Sequence, residues 1–182
     1  MGEGEGDDRL VARIAAGDRT AFAEIMERHL DKVFALARRV LQSDSDAEEI
    51  AQEVFLTVWK TAETWKPGRA LFSTWIYRVT MNRCLNHKTR VQQRYLPLAP
   101  GFERADPAPL AEEALAETQR QERVDRAIAE LPQKQRMAIS LTYVTGLSNA
   151  EAAAAMEISV KALEGLLVRA RRSLRQELTA GE

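Results

Sequence analysis

The 182-residue sequence lacks several features that define large classes of proteins. It contains one cysteine, Cys84, so no disulfide can form within the chain, and this usage is typical of a reducing compartment. No apolar run approaches the roughly 20 residues of a membrane-spanning helix. The start, MGEGEGDD, lacks the basic and then apolar order of a signal peptide. These absences predict a soluble, cytoplasmic protein without membrane insertion.

Residues that could support catalysis or metal binding are also scarce. Cys84 and His87 lie three residues apart, but no second ligand pair accompanies them and His29 is isolated, whereas a tetrahedral metal site needs about four ligands. Neither a glycine-rich phosphate loop nor a nucleophile elbow is present. We therefore expect no catalytic residues, no metal, no cofactor and no enzymatic activity.

Acidic residues are missing from one long stretch, residues 64–102. The formal net charge of the chain is −1, but residues 1–63 carry −6, residues 64–102 carry +7 and residues 103–182 carry −2. Cations that follow phosphates and rings that stack on unpaired bases suit single-stranded nucleic acid. A buried aromatic helix with a solvated basic face explains the composition equally well. Six of the eleven aromatic residues lie in this stretch: Trp65, Phe72, Trp75, Tyr77, Tyr95 and Phe102.

Helical periodicity covers most of the chain. Residues 96–109 hold four of the six prolines and little periodicity, so they predict a flexible linker. Residues 1–9 alternate glycine with acid and predict a disordered acidic tail. The expected fold is therefore all-α, with two small helical domains, residues 10–95 and 110–182, joined by the linker.

Two helices of the first domain are marked by apolar stripes and caps. Residues 21–41 repeat apolar residues every three or four positions. The segment SDSD at 43–46 offers several N-caps, of which Ser45 and Asp46 have capping-box spacing, for a helix that runs to about Lys60. Its outer side carries three polar residues that need no function beyond solvation: Glu49, Gln52 and Glu53.

A break at Pro67-Gly68 separates this helix from the next one. We expect Ser73 to cap a helix that runs to about Arg90. The loop and one side of that helix suggest a clamp for an unpaired strand, while Trp75 suits either the core or a stacking role. The candidate contacts are Trp65, Lys66, Arg69, Trp75, Arg78 and Asn82.

The chain from Leu147 onwards has the pattern of a helix-turn-helix. A helix predicted over residues 133–144 ends before Gly146, and Ser148 with Glu151 forms a capping box for a short alanine-rich helix. Ser159 then caps a second helix that would enter a major groove. A generic helical hairpin with an arginine-rich end is the alternative. The candidate DNA contacts are Ser159, Lys161, Ala162, Glu164, Arg169 and Arg172, with Arg171 and Arg175 as further phosphate partners.

Three motifs in this order resemble the sigma factors of bacterial RNA polymerase, specifically the extracytoplasmic-function group of the sigma-70 type. They are DAEEIAQEVFLTVW at 46–59, FSTWIYRVTMNRCLN at 72–86, and LPQKQRMAISL at 131–141 followed by the helix-turn-helix. The resemblance implies a protein that binds core polymerase, recognises minus-10 and minus-35 promoter elements and opens DNA for a stress- or signal-responsive gene set. It implies sigma region 2 at 10–95 and sigma region 4 at 110–182.

The resemblance also implies roles for single residues. Glu49, Gln52 and Glu53 would dock on the beta-prime clamp helices, and region 4 would also contact the beta flap. An anti-sigma factor is an expected partner. The six candidates from Trp65 to Asn82 named above, in the loop and on the helix after it, would bind the minus-10 element. The six candidates from Ser159 to Arg172 would read the minus-35 element.

Three residues depart from the family pattern. Glu157 stands in the helix-turn-helix turn where glycine is usual, Leu166 replaces a usual arginine, and Gly165 lies inside the recognition helix. The alternative function is a conventional helix-turn-helix regulator that binds duplex DNA alone, but it leaves the basic aromatic stretch and the acidic helix without a role.

Overall fold

All regular elements are helical in the part of the chain described by a computed structural model, residues 3–68, 70–94 and 123–179. The expected all-α class is confirmed. The predicted linker, residues 96–109, and Arg69 lie outside the described residues. The elements are α1 (Glu3–Ala15), α2 (Arg19–Leu41), α3 (Asp44–Thr61), a 3-10 turn (Ala62–Thr64), α4 (Phe72–Arg94), α5 (described over 123–130), α6 (Gln133–Ile139), a π-helical turn (Ser140–Val144), α7 (Asn149–Ala155) and α8 (Val160–Thr179).

The expectation of disorder over residues 1–9 is wrong for residues 3–9, which belong to α1. Asp7 is only 2% exposed, and its carboxylate accepts a hydrogen bond from the Arg28 guanidinium at 3.0 Å and lies 2.8 Å from His29 Nε2. This bond to Asp7 raises the pKa of Arg28. The composition argument treated the acidic residues as solvated, but basic partners on α2 compensate their burial. Leu10, Val11 and Ile14 complete the buried side of α1.

Polar residues cap both ends of α2. The Asp18 carboxylate accepts hydrogen bonds from the backbone N–H groups of Thr20 and Ala21, at 2.9 and 3.2 Å. Bonds from the Thr20 hydroxyl and from Arg13 help to lower the pKa of Asp18 well below its usual range. At the other end of α2, Gln42 adopts a left-handed conformation with φ of 62°.

Helices α2, α3 and α4 enclose the core of the first domain. The N-cap of α3 is Ser43, whose hydroxyl accepts from the Asp46 N–H at 3.3 Å, so the expected caps at Ser45 and Asp46 are wrong by two and three residues. Ser73 is not a cap either, because α4 already begins at Phe72. The largest fully buried side chains of this core are Tyr77, Phe72, Ile25, Leu36, Ile50, Ile76, Met81, Val11, Val33 and Val40.

Among its described residues, the second domain departs from a regular α-helix at the end of α6. The helix expected over residues 133–144 is α-helical only to Ile139, and its last turn is a π-helix in which the Ser140 carbonyl accepts from the Thr145 N–H at 3.3 Å. The Thr145 hydroxyl also donates to the Leu141 carbonyl. Gly146, with φ of 76°, ends the segment as predicted.

The helix-turn-helix is built as the sequence predicts. The Ser148 hydroxyl accepts from the Glu151 N–H at 3.3 Å, and the Glu151 carboxylate accepts from the Ser148 N–H at 2.8 Å, which completes the capping box. Ser159 accepts from the Ala162 N–H at 3.2 Å at the start of α8. Small side chains of α7 let it pack closely on α8, and the buried residues are Ala152, Ala153, Ala155, Leu163, Leu167 and Ala170.

The two domains touch through arginine side chains. The Arg136 guanidinium donates to the Val40 carbonyl at 3.3 Å, and Arg39 pairs with Asp125 at 3.1 Å. A looser ion pair, 3.9 Å long, joins Arg78 of α4 to Glu157 in the turn between α7 and α8. The side of α4 that carries Arg78 therefore faces the helix-turn-helix.

Candidate nucleic-acid interfaces and docking face

The loop that follows α3 is anchored by its tryptophan. Trp65 is half-buried, and its indole Nε1–H donates to the Asp8 carboxylate at 2.7 Å. Its ring meets Phe72 and Trp75 edge to face, with centroids 5.7 and 5.4 Å apart. Lys66 is exposed. The loop thus places one cation in solvent while its ring is held by three neighbours.

A polar strip on α4 continues from this ring cluster. Arg78 follows Trp75 by three residues and Asn82 follows Arg78 by four, so the three side chains share one side of the helix. Trp75 is half-buried, which fits a residue that belongs partly to the core, and Asn82 is exposed. The structure therefore brings Trp65, Trp75, Arg78 and Asn82 to one side of the first domain.

The acidic side of α3 is paired with basic residues of α4. Glu49 lies 3.2 Å from Arg90, and Glu53 lies 3.3 Å from Arg83. Gln52, between them, is exposed. The expected docking residues thus lie on one surface, but two of the three are held by ion pairs across the helix interface.

An exposed apolar residue beside Gln52 escaped the sequence analysis. Leu56 is 56% exposed and lies one turn after Gln52, outside the apolar stripe that packs against the core. Trp59 is also partly exposed, with its ring edge to face against Phe22 at 5.2 Å. A leucine among the polar residues of an amphipathic helix was the available signal. Together these residues make the α3 surface partly apolar.

The cationic side of α8 is opposite its buried stripe. Lys161, Arg169 and Arg172 are spaced so that they share one side of the helix, away from Leu163 and Leu167. A Cβ on Gly165 would lie 3.4 Å from the Arg169 guanidinium, so that side chain folds back over the glycine. All six predicted duplex contacts are exposed: Ser159, Lys161, Ala162, Glu164, Arg169 and Arg172.

Two features are absent from residues 3–68, 70–94 and 123–179. No group of three or more histidine, cysteine, aspartate or glutamate side chains is placed there to hold a metal ion. No helix of these ranges is both long and apolar enough to cross a membrane.

Residues 25–95 match the family Sigma-70 region 2, and residues 121–174 match the family Sigma-70, region 4. A strand-binding helical domain followed by a helix-turn-helix domain defines the sigma-factor class. The RNA polymerase sigma factor CnrH of Cupriavidus metallidurans is 32% identical over 190 residues, which cover 99% of this chain and 98% of CnrH. The ECF RNA polymerase sigma factor SigW of Bacillus subtilis is 28% identical over 179 residues, covering 93% and 95%.

Solved structures agree with the sequence matches. The structure of CnrH in complex with the cytosolic domain of CnrY matches with a TM-score of 0.73 at 28% identity, covering 97% of this chain and 99% of that chain. The sigma factor RpoE in complex with the anti-sigma factor NepR from Bartonella quintana has the same fold, with a TM-score of 0.67 at 20% identity over 88% and 98%. The chain belongs to the sigma-70 family, in its extracytoplasmic-function group.

Proposed function

We propose that this chain directs core RNA polymerase to a signal-responsive set of promoters by binding the minus-10 and minus-35 elements and capturing the opened strand. The carrying observation is that an acid-free aromatic loop and a polar helix side lie in one domain, while an exposed cationic recognition helix lies in the other. The proposed place of action is the cytoplasm, and the proposed role makes or breaks no covalent bond.

The two domains suit two states of DNA. Unpaired bases expose faces and edges that rings and amides can bind, whereas duplex bases are read from a groove by a helix. Extruding a base costs a few kcal/mol, so contacts with the captured strand must offset that cost. We assign the first task to region 2, residues 10–95, and the second to region 4, residues 110–182.

The minus-10 contact surface runs from the loop onto α4. Lys66 and Arg69 would follow phosphates, and Arg78 and Asn82 would meet base edges or the backbone. Trp75 would border the captured base, and Trp65 would hold the loop. On α8, the minus-35 contacts would be the six exposed residues from Ser159 to Arg172 named above.

The polymerase-docking face is proposed on α3. Glu49, Gln52 and Glu53 would meet the beta-prime clamp helices, with Leu56 as the apolar centre of the contact. Region 4 would also contact the beta flap. Apolar burial at Leu56 would supply affinity, while the acidic residues would orient the partner.

An anti-sigma factor is proposed as a regulatory partner. Both solved relatives named above are complexes with a second protein, and RpoE is bound to one called an anti-sigma factor. The contact between the two domains of this chain places Arg78 near Glu157. A partner that clasps both domains would hold the strand-binding side of α4 covered.

Run-off transcription with core polymerase and genomic promoter fragments tests the function. The wild type is expected to start transcription at defined sites, and a Lys66→Ala, Arg69→Ala variant is expected to bind core but open DNA poorly. A Lys32→Ala, Lys134→Ala variant, which removes two exposed cations elsewhere, should behave like the wild type. If the wild type adds nothing to core polymerase but shifts a duplex by itself, the protein is a conventional regulator.

A further inference from the structure

We propose that Asp8 of α1 is a positioning residue that sets the minus-10 loop through the indole of Trp65. The inference rests on the proposed function of that loop. It assigns to the first helix, which carries no strand-binding residue of its own, a part in strand capture.

The hydrogen bond between Trp65 and Asp8 joins two residues that lie 57 positions apart in the sequence. Trp65 Nε1–H donates to Asp8 Oδ1 at 2.7 Å, and a bond to an ionised acceptor is stronger than one between neutral groups. The two ring contacts to Phe72 and Trp75 fix the plane of the indole, while the bond to Asp8 fixes its direction within that plane. Because these three contacts fix the indole, Trp65 holds the loop in place.

Helix α1 can serve as an anchor because the neighbouring residue secures it. Asp7 is buried against Arg28 and His29 of α2, whereas Asp8 reaches the loop. Consecutive carboxylates thus tie α1 to two different elements. The side chains of Leu10, Val11 and Ile14, in the next turns of α1, are buried in the core. This packing fixes the position of α1 and so the position of the Asp8 carboxylate.

The loop has few other restraints among its described residues. The Trp65 N–H donates to the Ala62 carbonyl at 3.2 Å, and Gly68 adopts φ of 77° before α4 begins at Phe72. Lys66 and Gly68 are exposed. Releasing the indole would therefore let the loop sample many positions, and binding an unpaired base would then cost the entropy of ordering it.

The test uses the holoenzyme with core polymerase and a promoter carrying a single abasic site at each minus-10 position of the non-template strand in turn. For the wild type, removing the captured base is expected to weaken promoter binding about tenfold, equivalent to about 1.4 kcal/mol. On the intact promoter, Asp8→Ala should bind about tenfold more weakly than the wild type. Removing the captured base should then weaken the binding of Asp8→Ala only a little further. Asp8→Asn retains an acceptor and should recover most of the affinity, and Arg9→Ala, an exposed neighbour, should match the wild type.

A second variant separates positioning from folding. Trp65→Phe retains a ring but lacks the N–H donor, so it should reproduce the Asp8→Ala effect, and the double variant should lose no more than either single variant. Additive losses, or an Asp8→Ala protein that remains as sensitive to the abasic site as the wild type, would overturn the assignment of Asp8. A wild type that ignores the abasic site at every position would instead overturn the capture role of the loop.

Discussion

Arg136 of α6 donates hydrogen bonds to backbone carbonyls of both domains. Its guanidinium donates to the carbonyls of Ala129 and Leu131, at 2.6 and 3.1 Å, and to that of Val40 at 3.3 Å. Burial lowers its pKa, and Glu130 opposes that shift. The carbonyls belong to the ends of α5 and α2, where helical partners run out and the dipole favours a cation. Arg136 therefore satisfies helix ends in both domains.

Arg136→Met should lower the free energy of unfolding of the second domain by about 1–3 kcal/mol, because it leaves partly buried carbonyls without a donor. Urea unfolding followed by circular dichroism would measure this. Lys134→Met, at an exposed position of the same helix, should change stability by less than about 0.5 kcal/mol. Equal effects of the two substitutions would contradict the role given to Arg136.

Asp18 makes stability depend on pH in an acidic range. Its pKa is lowered by hydrogen bonds from Thr20 and Arg13, below the ordinary value of 3.8, so the folded state binds its proton more weakly than the unfolded state. Its contribution is therefore present above the ordinary value and is lost as the pH falls towards the lowered one. Asp18→Asn keeps an N-cap acceptor but cannot ionise.

The measurement is the urea midpoint of both proteins from about pH 6 down to about pH 2. The wild type should be more stable at the upper end, and the difference should shrink as the pH falls. A difference that stays constant over the whole range would show that the ionised carboxylate adds nothing.

At the scale of elements, the turn of the helix-turn-helix is strained. Glu157 adopts φ of 55°, a conformation that costs a residue with a Cβ roughly 1–2 kcal/mol and glycine much less. Its ion pair with Arg78 is exposed and long, so it offsets little of that cost. The departure from glycine noted in the sequence thus changes the energy of the turn but not its left-handed geometry.

Glu157→Gly should raise the free energy of unfolding of the second domain by about 0.5–1 kcal/mol, since the lost strain exceeds the entropy that glycine adds to the unfolded chain. Glu164→Gly provides a control with the opposite sign, because it lies within α8 and should cost up to about 1 kcal/mol. Thermal unfolding of both variants would check the pair. Destabilisation by both would mean that the turn is not strained.

The exposed leucine of α3 allows docking to be tested apart from folding. Leu56→Asp should change stability by less than about 0.5 kcal/mol, yet weaken binding to core polymerase by about tenfold or more. Leu71→Asp is a matched control, since Leu71 is 47% exposed but lies in the loop before α4, outside the proposed polymerase contacts. Competition for fluorescently labelled core polymerase would report affinity. Equal loss in both variants would remove Leu56 from the docking face.

Short-range sequence patterns predicted most helices and caps. The helical state of residues 3–9, which they did not predict, depends on contacts between residues far apart in the sequence. The helical state of α2, the capping box at Ser148 and the cap at Ser159 all follow from residues within one or two turns, and each is confirmed. The helical state of residues 3–9 depends on partners 21 and 22 positions away, at Arg28 and His29. The net charge of a segment does not reveal such ion pairs, because the partners lie in different segments.

The same limit applies to the candidate site. The sequence predicted which side of its helix each candidate residue occupies, because spacing alone fixes that side. It could not reveal that Glu49 and Glu53 pair with α4, or that Trp65 is bound by Asp8. These contacts depend on how α1, α3 and α4 pack together.

At the scale of the whole molecule, the side of α4 that is proposed to bind the opened strand meets the turn of the helix-turn-helix. Arg39 with Asp125 and Arg78 with Glu157 join the domains around Arg136. Glu157 lies against the part of α4 assigned to the opened strand. Promoter DNA would have to displace the helix-turn-helix turn from Arg78, so domain separation and strand binding are coupled in this arrangement.

Reversing one charge at the domain contact should shift the molecule towards separated domains. Arg39→Glu places two acidic groups opposite each other at Asp125, and a partly exposed pair is worth about 1 kcal/mol, a several-fold change in the ratio of the two states. Small-angle X-ray scattering should give a larger radius of gyration for this variant. The double variant Arg39→Glu, Asp125→Arg should restore the smaller value, and failure to restore it would place the effect elsewhere.

The π-helical turn at Ser140–Val144 has a consequence for how such a chain can evolve. A π turn holds about one residue more than the α turn that it replaces. Loss of a single codon there would allow a regular α-helix, and each residue of an α-helix turns the following chain by about 100°. Such a deletion would leave every proposed DNA contact of α8 unchanged and still point the recognition helix in another direction. Promoter choice could therefore change through a mutation at a residue that does not contact DNA.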